Sequence, residues 1–588
     1  MGRSRSAYLL GVGALLIAAS LMLPSIRFEA QLPPSGPLIA AAIAVILSTA
    51  IMQSRTSRNA IDRFAQRVLA HRPLVACAVG LLSSIGLAAL NRFMDRPLTL
   101  LWHDEFQFHL QSQLLARFRL WMPPHPLEAF FDTFYVLMQP VYAPQSFPGA
   151  ASLFVPTIWL SLPTWVMPLA VTGVACGLLW WVLSELIDPW CATVGLVVLL
   201  CSFGMQRLST MYMAQVPMLM LGLAAFAAML VWKKNRSWKS AALVGLFLGW
   251  AAITRPLDAV CYGAIVGIGM LPTFMRLPGR KMALTAGGVI AAALPFLALQ
   301  AVFDLRVTGS VTKTPFSYYN ERDQPALSFG AVAGAARPLS DIPQKQAFYD
   351  FFTMAFVKLH NHPKMTPTIL WQNRLNVMQS MLGPTVLMLP IAAMGLAGLV
   401  TRNRLLLFAL LPAFLLAYHW YPIFLFHYIA YAMPGLILLY ALAPHVASVS
   451  VKRKWSRTAS QVVGWAIIGM SIGAMIQRSV WEIPDEMLAQ KRAFDAVLQR
   501  VRAPAIVLFT PPARAEDTHL ELVYNDDVAW PDDAPIIRAH DRGNQNHVLF
   551  DYYARQAPQR EVWRLDRTSM QLSLLGRVGQ LASEPNRP

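Results

Sequence analysis

Apolar runs of about 20 residues recur along this chain, and they constrain it more than any other feature does. In hydrocarbon every backbone N–H and C=O must be satisfied within the protein, so only helices and closed barrels span a bilayer. The runs at 74–90, 165–183, 282–303, 378–400 and 424–443 carry Gly and Ala but no period-two alternation. That pattern predicts helices and argues against a β-barrel. The balance of residues agrees: 56% are hydrophobic and 14% charged, where soluble domains carry about 25% charged residues. The mean hydropathy is +0.45.

About thirteen spans are predicted, at 7–24, 37–53, 74–92, 165–186, 190–207, 214–232, 238–254, 258–276, 282–303, 378–400, 404–420, 423–444 and 460–476. The first has a basic flank, Arg3 and Arg5, but no Ala-x-Ala site close behind it, so an uncleaved anchor is expected rather than a signal peptide. The fold expected is an all-α polytopic membrane protein with a small C-terminal α/β domain.

Charge sets the expected topology. The net charge is +18, and its basic residues fall on alternate loops. Arg55, Arg58, Arg63, Arg67 and Arg72 lie between spans two and three, and Lys233, Lys234, Arg236 and Lys239 between six and seven. Arg276, Arg280 and Lys281 follow, then Arg402 and Arg404, then Lys452, Arg453, Lys454 and Arg457. This is the positive-inside pattern and puts those loops in the cytoplasm. The turn 185–189, without basic residues, is the one neutral exception. The orientation rule also accounts for the basic pI without invoking nucleic acid.

The remaining loops then face outward, in the periplasm of a bacterial inner membrane. Three parts are expected: 1–73, two extra spans and a basic loop; 74–476, a membrane domain with external loops 93–164 and 304–377; and 477–588, a soluble tail. In the tail, 505–509, 535–538 and 560–566 read as strands and 547–556 as a helix. All five cysteines fall in predicted spans, so no disulfide framework is implied. Neither a Walker loop nor a Gly-rich dinucleotide fingerprint occurs.

Four clusters carry candidate chemistry. Trp102-His103-Asp104-Glu105 directly follows the third span. A carboxylate facing lipid costs about 2.5–3.5 kcal/mol, so the pair either ends a helix in solvent or floors an external cavity, where one acid acts as general base. Beyond it, 106–120 and 127–138 read as amphipathic helices, a platform or lid over that cavity. Arg255, in Thr254-Arg255-Pro256, either snorkels or holds a phosphate. Lys313, in the loop that runs through Thr308-Gly309-Ser310 to Thr314-Pro315-Phe316, is a second phosphate candidate, although ordinary loop chemistry explains the Gly and Pro equally well. His427-Tyr428 lies one to two turns inside a span, beyond Trp420-Tyr421-Pro422, where an interfacial aromatic belt is the alternative. His103, His109 and His125 invite a divalent-cation reading, but no His-Glu-x-x-His spacing occurs, and no metal or other cofactor is expected.

Together these motifs resemble the GT-C superfamily of polyprenyl-phosphate-sugar-dependent glycosyltransferases, which includes the protein O-mannosyltransferase-like enzymes and the bacterial aminoarabinose transferases. The likeness covers about residues 70–445. It rests on Asp104-Glu105 after a span, on Tyr142-Ala143-Pro144-Gln145 with Pro148-Gly149, on Thr254-Arg255-Pro256, on the Thr308–Phe316 motifs, and on His427-Tyr428 with Pro434. The two spans before residue 74 depart from the single span usual ahead of the acid pair.

The resemblance implies a donor sugar on a polyprenyl phosphate, transferred at the outer face to a glycan, lipid or protein acceptor. The partners implied are that lipid donor, the acceptor and the bilayer, with no nucleic acid. Asp104 and Glu105 would be catalytic, with Asp104 the base. Arg255, Lys313 and His427 would hold the phosphate, and His103, Tyr318 and Tyr319 would contact sugar. One displacement at the anomeric carbon would invert it. Two other classes compete: an oligosaccharide ligase or polymerase of related architecture, and a lipid or sugar transporter. A transporter predicts midplane charges and inverted repeats, whereas the polar residues here cluster at one face.

Overall fold

The computed structural model describes residues 35–53, 63, 67–327, 337–340, 342–362, 374, 388–481, 486–512 and 519–583. The predicted span at 7–24, the charges at Arg55 and Arg58, and the first part of 378–400 lie outside them.

Among the described residues, eight helices are long and apolar enough to cross a membrane. They are Arg72–Phe93, Val166–Leu186, Gln215–Asn235, Pro256–Phe274, Gly279–Thr308, Arg402–Trp420, His427–Ser450 and Arg453–Arg478. Three shorter apolar helices, Gly36–Ala50, Pro189–Leu200 and Trp238–Ala252, join them. The expected span at 190–207 is two helices, Pro189–Leu200 and Phe203–Leu208, with a break at Cys201-Ser202.

Without a hydrophobic drive between helices in lipid, close approach needs small side chains. The Arg72–Phe93 and Val166–Leu186 helices meet on Gly80, Gly173 and Gly177. A Cβ on Gly80 would stand 2.7 Å from the Gly173 carbonyl oxygen, and one on Gly177 would stand 2.5 Å from that of Ala76. The Gln215–Asn235 helix runs through the middle of the bundle and is buried along almost its whole length.

The basic loops converge at one end. Arg72 Nη1 lies 2.8 Å from Glu185 Oε1, and Lys234 pairs with the other oxygen of the same carboxylate. Lys233 Nζ donates to Asn403 Oδ1 at 2.6 Å, and Arg404 Nε to the Leu186 carbonyl at 3.0 Å. The turn 185–189, which has no basic residue, therefore shares an end with three basic loops and supplies the acid that binds two of them.

At the other end sits the tail. Its four strands run in the order Ile536–His540, Ala505–Phe509, Glu561–Asp566, Gln571–Arg577. The first three are parallel and the last is antiparallel. Ala505–Phe509 is buried at every position, as a strand covered on both faces should be. The helices Glu486–Leu498 and Asn546–Ala554 accompany the sheet. The last strand and the first of these helices were not anticipated from the sequence.

Two expectations for the first external loop are corrected. The helix His103–Ala116 is buried on all sides from Glu105 to Leu114, so it is a core element and not an amphipathic one lying on the membrane surface. The tail covers the side that would otherwise face water. The stretch 127–138 is not a helix either: it holds a single turn, Glu128–Phe131, and then a two-residue strand, Val136–Leu137, paired with Ala143–Pro144.

Candidate active site

The acid helix starts where Trp102 and Leu101 offer backbone N–H groups that have no helical partner. Glu105 takes both. Its Oε2 accepts from Leu101 N at 2.9 Å and Trp102 N at 3.1 Å, closing a capping box, and its Oε1 accepts from Tyr212 N at 3.0 Å. Burial pushes its carboxyl up to about 7 against those three bonds. Glu105 is thus a buried strut between the acid helix and the segment ahead of the Gln215–Asn235 helix.

Asp104, one residue earlier, is partly exposed. Its Oδ1 accepts from Gln107 Nε2 at 3.2 Å. Burial pushes its carboxyl up to about 6, while the Gln107 hydrogen bond and the Arg255 charge pull it down.

Arg255 caps the Pro256–Phe274 helix. Its Nε donates to Asp258 at 2.5 Å, its Nη2 donates to the Tyr418 hydroxyl at 2.9 Å, and its guanidinium lies 5.4 and 5.5 Å from the ring centres of Tyr428 and Tyr431. The side chain is aimed before any ligand arrives, and about a fifth of it remains exposed. Gly149 sets its height. The Gly149 N–H donates to the Ile253 carbonyl at 2.7 Å, and a Cβ there would stand 2.3 Å from Thr254 Oγ1. The Pro148-Gly149 and Thr254-Arg255-Pro256 motifs are therefore two halves of one contact.

Tyrosines complete the wall. The Tyr135 phenol is pushed well above its usual range by burial first and then by the charge of Asp104, with Tyr319, Tyr428 and Tyr421 adding to it. Tyr421 feels the same burial, its tyrosine neighbours Tyr428 and Tyr418, and both Arg255 and Asp104. Tyr135 has φ +62°, a left-handed conformation that costs a bulky residue about 1–3 kcal/mol. It is locked there because its N–H donates to the Tyr319 hydroxyl at 3.0 Å and its C=O accepts from Gln145 N at 2.9 Å. Gln145 closes the Tyr142–Gln145 motif, whose strand pairing with Val136–Leu137 fixes the register.

The other expected residues fall as follows. His427 lies beside Tyr428, ring centres 4.9 Å apart, within electrostatic reach of Arg255. His103 is buried, stacked on Phe134 at 4.1 Å, with Nδ1 3.3 Å from the Tyr524 hydroxyl of the tail. Tyr319 is buried, and its hydroxyl accepts from the Tyr135 N–H. Lys313 pairs with Glu321 at the surface at 2.5 Å and sits 5.4 Å over the Tyr318 ring, so those two share a separate patch. The neighbouring motif is loop chemistry: Gly309 ends its helix at φ +76°, and Thr308 Oγ1 bonds the carbonyls of Asp304, Ser310 and Lys313.

Sequence reading missed two cations. Lys345 is buried, 2.7 Å from both Asp132 Oδ1 and Asp323 Oδ2, and 5.2 Å over the Tyr319 ring. Arg374 Nη2 donates to the Tyr421 carbonyl at 2.8 Å, and its guanidinium lies 4.3 Å from the Phe424 ring centre. No local signal marked either, because each finds its partners far along the chain.

Fold and site together define a polytopic membrane protein with a cluster of one acid, one arginine and several tyrosines at the end opposite its basic loops, beside an α/β tail. No family model and no curated protein matches the sequence. Among solved structures, the chain is similar to ArnT from Cupriavidus metallidurans in the apo state, with TM-score 0.49, 12% identity, and coverage of 86% of this chain and 99% of that one. It is similar to the same protein bound to undecaprenyl phosphate, with TM-score 0.49, 11% identity, and coverage of 84% and 92%. The apo oligosaccharyltransferase of Archaeoglobus fulgidus follows with TM-score 0.46, 13% identity, and coverage of 78% and 64%.

Proposed function

We propose that this chain is a membrane glycosyltransferase that moves a sugar from a polyprenyl-phosphate donor to a hydroxyl- or amine-bearing acceptor. The observation that carries the reading is one partly exposed acid, Asp104, within electrostatic reach of one pre-aimed cation, Arg255, at a helix-bundle end. A lipid-linked donor requires no nucleotide-binding fold and brings its phosphate to the membrane boundary, where Arg255 stands.

In the step proposed, the acceptor heteroatom attacks the anomeric carbon and its proton passes to Asp104. The bond from that carbon to the phosphate oxygen breaks, and the oxygen keeps the electron pair. The phosphate gains one negative charge as it leaves, and Arg255 is placed to stabilise it, with His427 adjoining. Attack opposite the leaving phosphate inverts the anomeric centre. Glu105 holds the helix that carries the base, and Tyr135, Tyr421 and Tyr428 offer ring faces and hydroxyls to the sugar. The basic loops at the far end support an inner-membrane orientation with the cavity and tail on the periplasmic side.

The test uses purified protein in nanodiscs with a panel of polyprenyl-phosphate sugars and follows release of polyprenyl phosphate. Asp104→Asn should lower release by about 10²–10⁴-fold, the range for loss of a general base. Equal release by both proteins would overturn the assignment of the base, and no release from any donor would overturn the reaction.

A further inference from the structure

The acid helix bears a second polar cluster, on the side covered by the tail. His109 lies five residues after Asp104, about 7.5 Å along the axis, and its Nδ1 is 2.8 Å from Asp526 Oδ2. Asp527 follows Asp526 in the tail. One ligand atom from each of His109, Asp526 and Asp527 lies within 4.8 Å of the other two. We propose that these three side chains form a divalent-cation site that clips the tail to the acid helix.

Charge and geometry both argue for it. Two consecutive carboxylates converge on one imidazole, and a neutral imidazole leaves their repulsion in place. Two cations stand near Asp527, Arg538 and Lys491. Lys491 is already paired with Asp495 at 2.8 Å, so with Arg538 counted the cluster keeps a net charge of about −1, which suits a metal cation. A donor set of one nitrogen and two oxygens fits zinc or manganese better than calcium or magnesium, which prefer all-oxygen shells. Tetrahedral ligands on bonds of about 2.1 Å stand about 3.4 Å apart, so the His109–Asp526 pair, at 2.8 Å, must open slightly and the widest pair, within 4.8 Å, must close by up to about 1.4 Å. Asp527 is exposed and able to swing inward, while His109 and Asp526 are buried and fixed. Water would complete the shell.

The other histidines of the loop are differently employed. His125 Nδ1 accepts from Leu127 N at 3.0 Å, and its Nε2 lies 3.1 Å from Asp532, an acid that also takes hydroxyls from Tyr552 and Tyr553. That arrangement is complete without an ion. The ion proposed for His109 is structural, about 7.5 Å along the helix axis from the proposed base, and the inference stands or falls apart from the transferase reading.

The full chain, purified in detergent with any affinity tag removed, would be stripped with chelator, loaded with ZnCl₂ or MnCl₂, desalted and assayed for metal. Binding would be followed by calorimetry, and hydrogen exchange would be read over 521–530. One ion per chain should survive desalting and slow exchange across that segment. Asp527→Asn, at an exposed position that should not disturb folding, should weaken binding at least tenfold, as even indirect support of a metal ligand is worth that much. His109→Gln should abolish it. Failure of the wild type to retain either metal, or retention by Asp527→Asn equal to wild type, would overturn the site.

Discussion

With Asp104 as the proposed base, a pH dependence of turnover is expected. A base acts in its deprotonated form, so activity rises with pH through the carboxyl's midpoint. With that midpoint raised to about 6 by burial, about nine-tenths of the carboxyl is ionised at pH 7 and about one-tenth at pH 5. The apparent kcat/KM should therefore fall close to tenfold between those values. An ordinary aspartate with a midpoint near 3.8 would lose less than about a tenth over the same interval. Glu105, raised to about 7, should steepen the acid limb, because protonating it weakens three bonds at the start of the same helix. Arg255 pulls the Asp104 midpoint down, so Arg255→Gln should move the limb to higher pH as well as lower the rate. The assay is polyprenyl-phosphate release from nanodiscs between pH 4.5 and 8.5, at donor concentrations well below KM so that the free enzyme is read. A profile flat down to pH 5, or a limb that moves to lower pH in Arg255→Gln, would refute the pairing of this acid with this cation.

Three further outcomes are expected. Gly149→Ala forces a Cβ against Thr254 and the Ile253 carbonyl; it should cost about 1–3 kcal/mol by overpacking and lower kcat/KM by displacing Arg255, measurable by thermal unfolding beside steady-state rates. Lys345→Met leaves Asp132 and Asp323 buried without their cation; the opening free energy of amides in Pro343–Phe348, read by hydrogen exchange, should drop by about 3–5 kcal/mol. Less should be lost at pH 5 than at pH 7, since the carboxyls then protonate more cheaply. Glu521→Gln breaks the buried pair with Arg567. Burial works against the Glu521 carboxylate, but the Arg567 charge and hydrogen bonds hold its carboxyl down to about 2. The wild-type pair should thus stabilise the tail above about pH 4.5 and lose that contribution as pH falls through 2, and the exchange protection of Ala505–Phe509 should fall in the variant at neutral pH.

Much of the architecture was legible because bilayer physics writes it locally. Each described span was a continuous apolar run, and the tail strand Ala505–Phe509 was a short run of β-branched and large apolar residues. Asp104 and Arg255 were legible for a related reason: a charge at a helix end is conspicuous when everything before or after it is apolar. What failed was the periodicity of 103–116. Its polar residues, Gln107, Gln111 and Ser112 among them, read as one solvent face, yet all three are buried. Gln111 exchanges hydrogen bonds with Ser146 and its carbonyl, and Ser112 donates to Ala151. Buried polar pairing looks like exposure when the partners lie dozens of residues away. Lys345 and Arg374 were hidden for the same reason. Glu105 was seen but its use was not, since the capping box needed only Trp102, whereas the third bond comes from Tyr212.

The tail's grip on the acid helix has a consequence for synthesis. Tyr524 lies 421 residues beyond His103, and Asp526 lies 417 beyond His109. At translation rates of about 5–20 residues per second, the helix bearing Asp104 waits about 20–80 seconds in the membrane before the residues that cover it exist. During that interval His103 and His109 lack their partners in the tail. The contacts that bury this helix therefore form only after the segment around Tyr524 and Asp526 has been made.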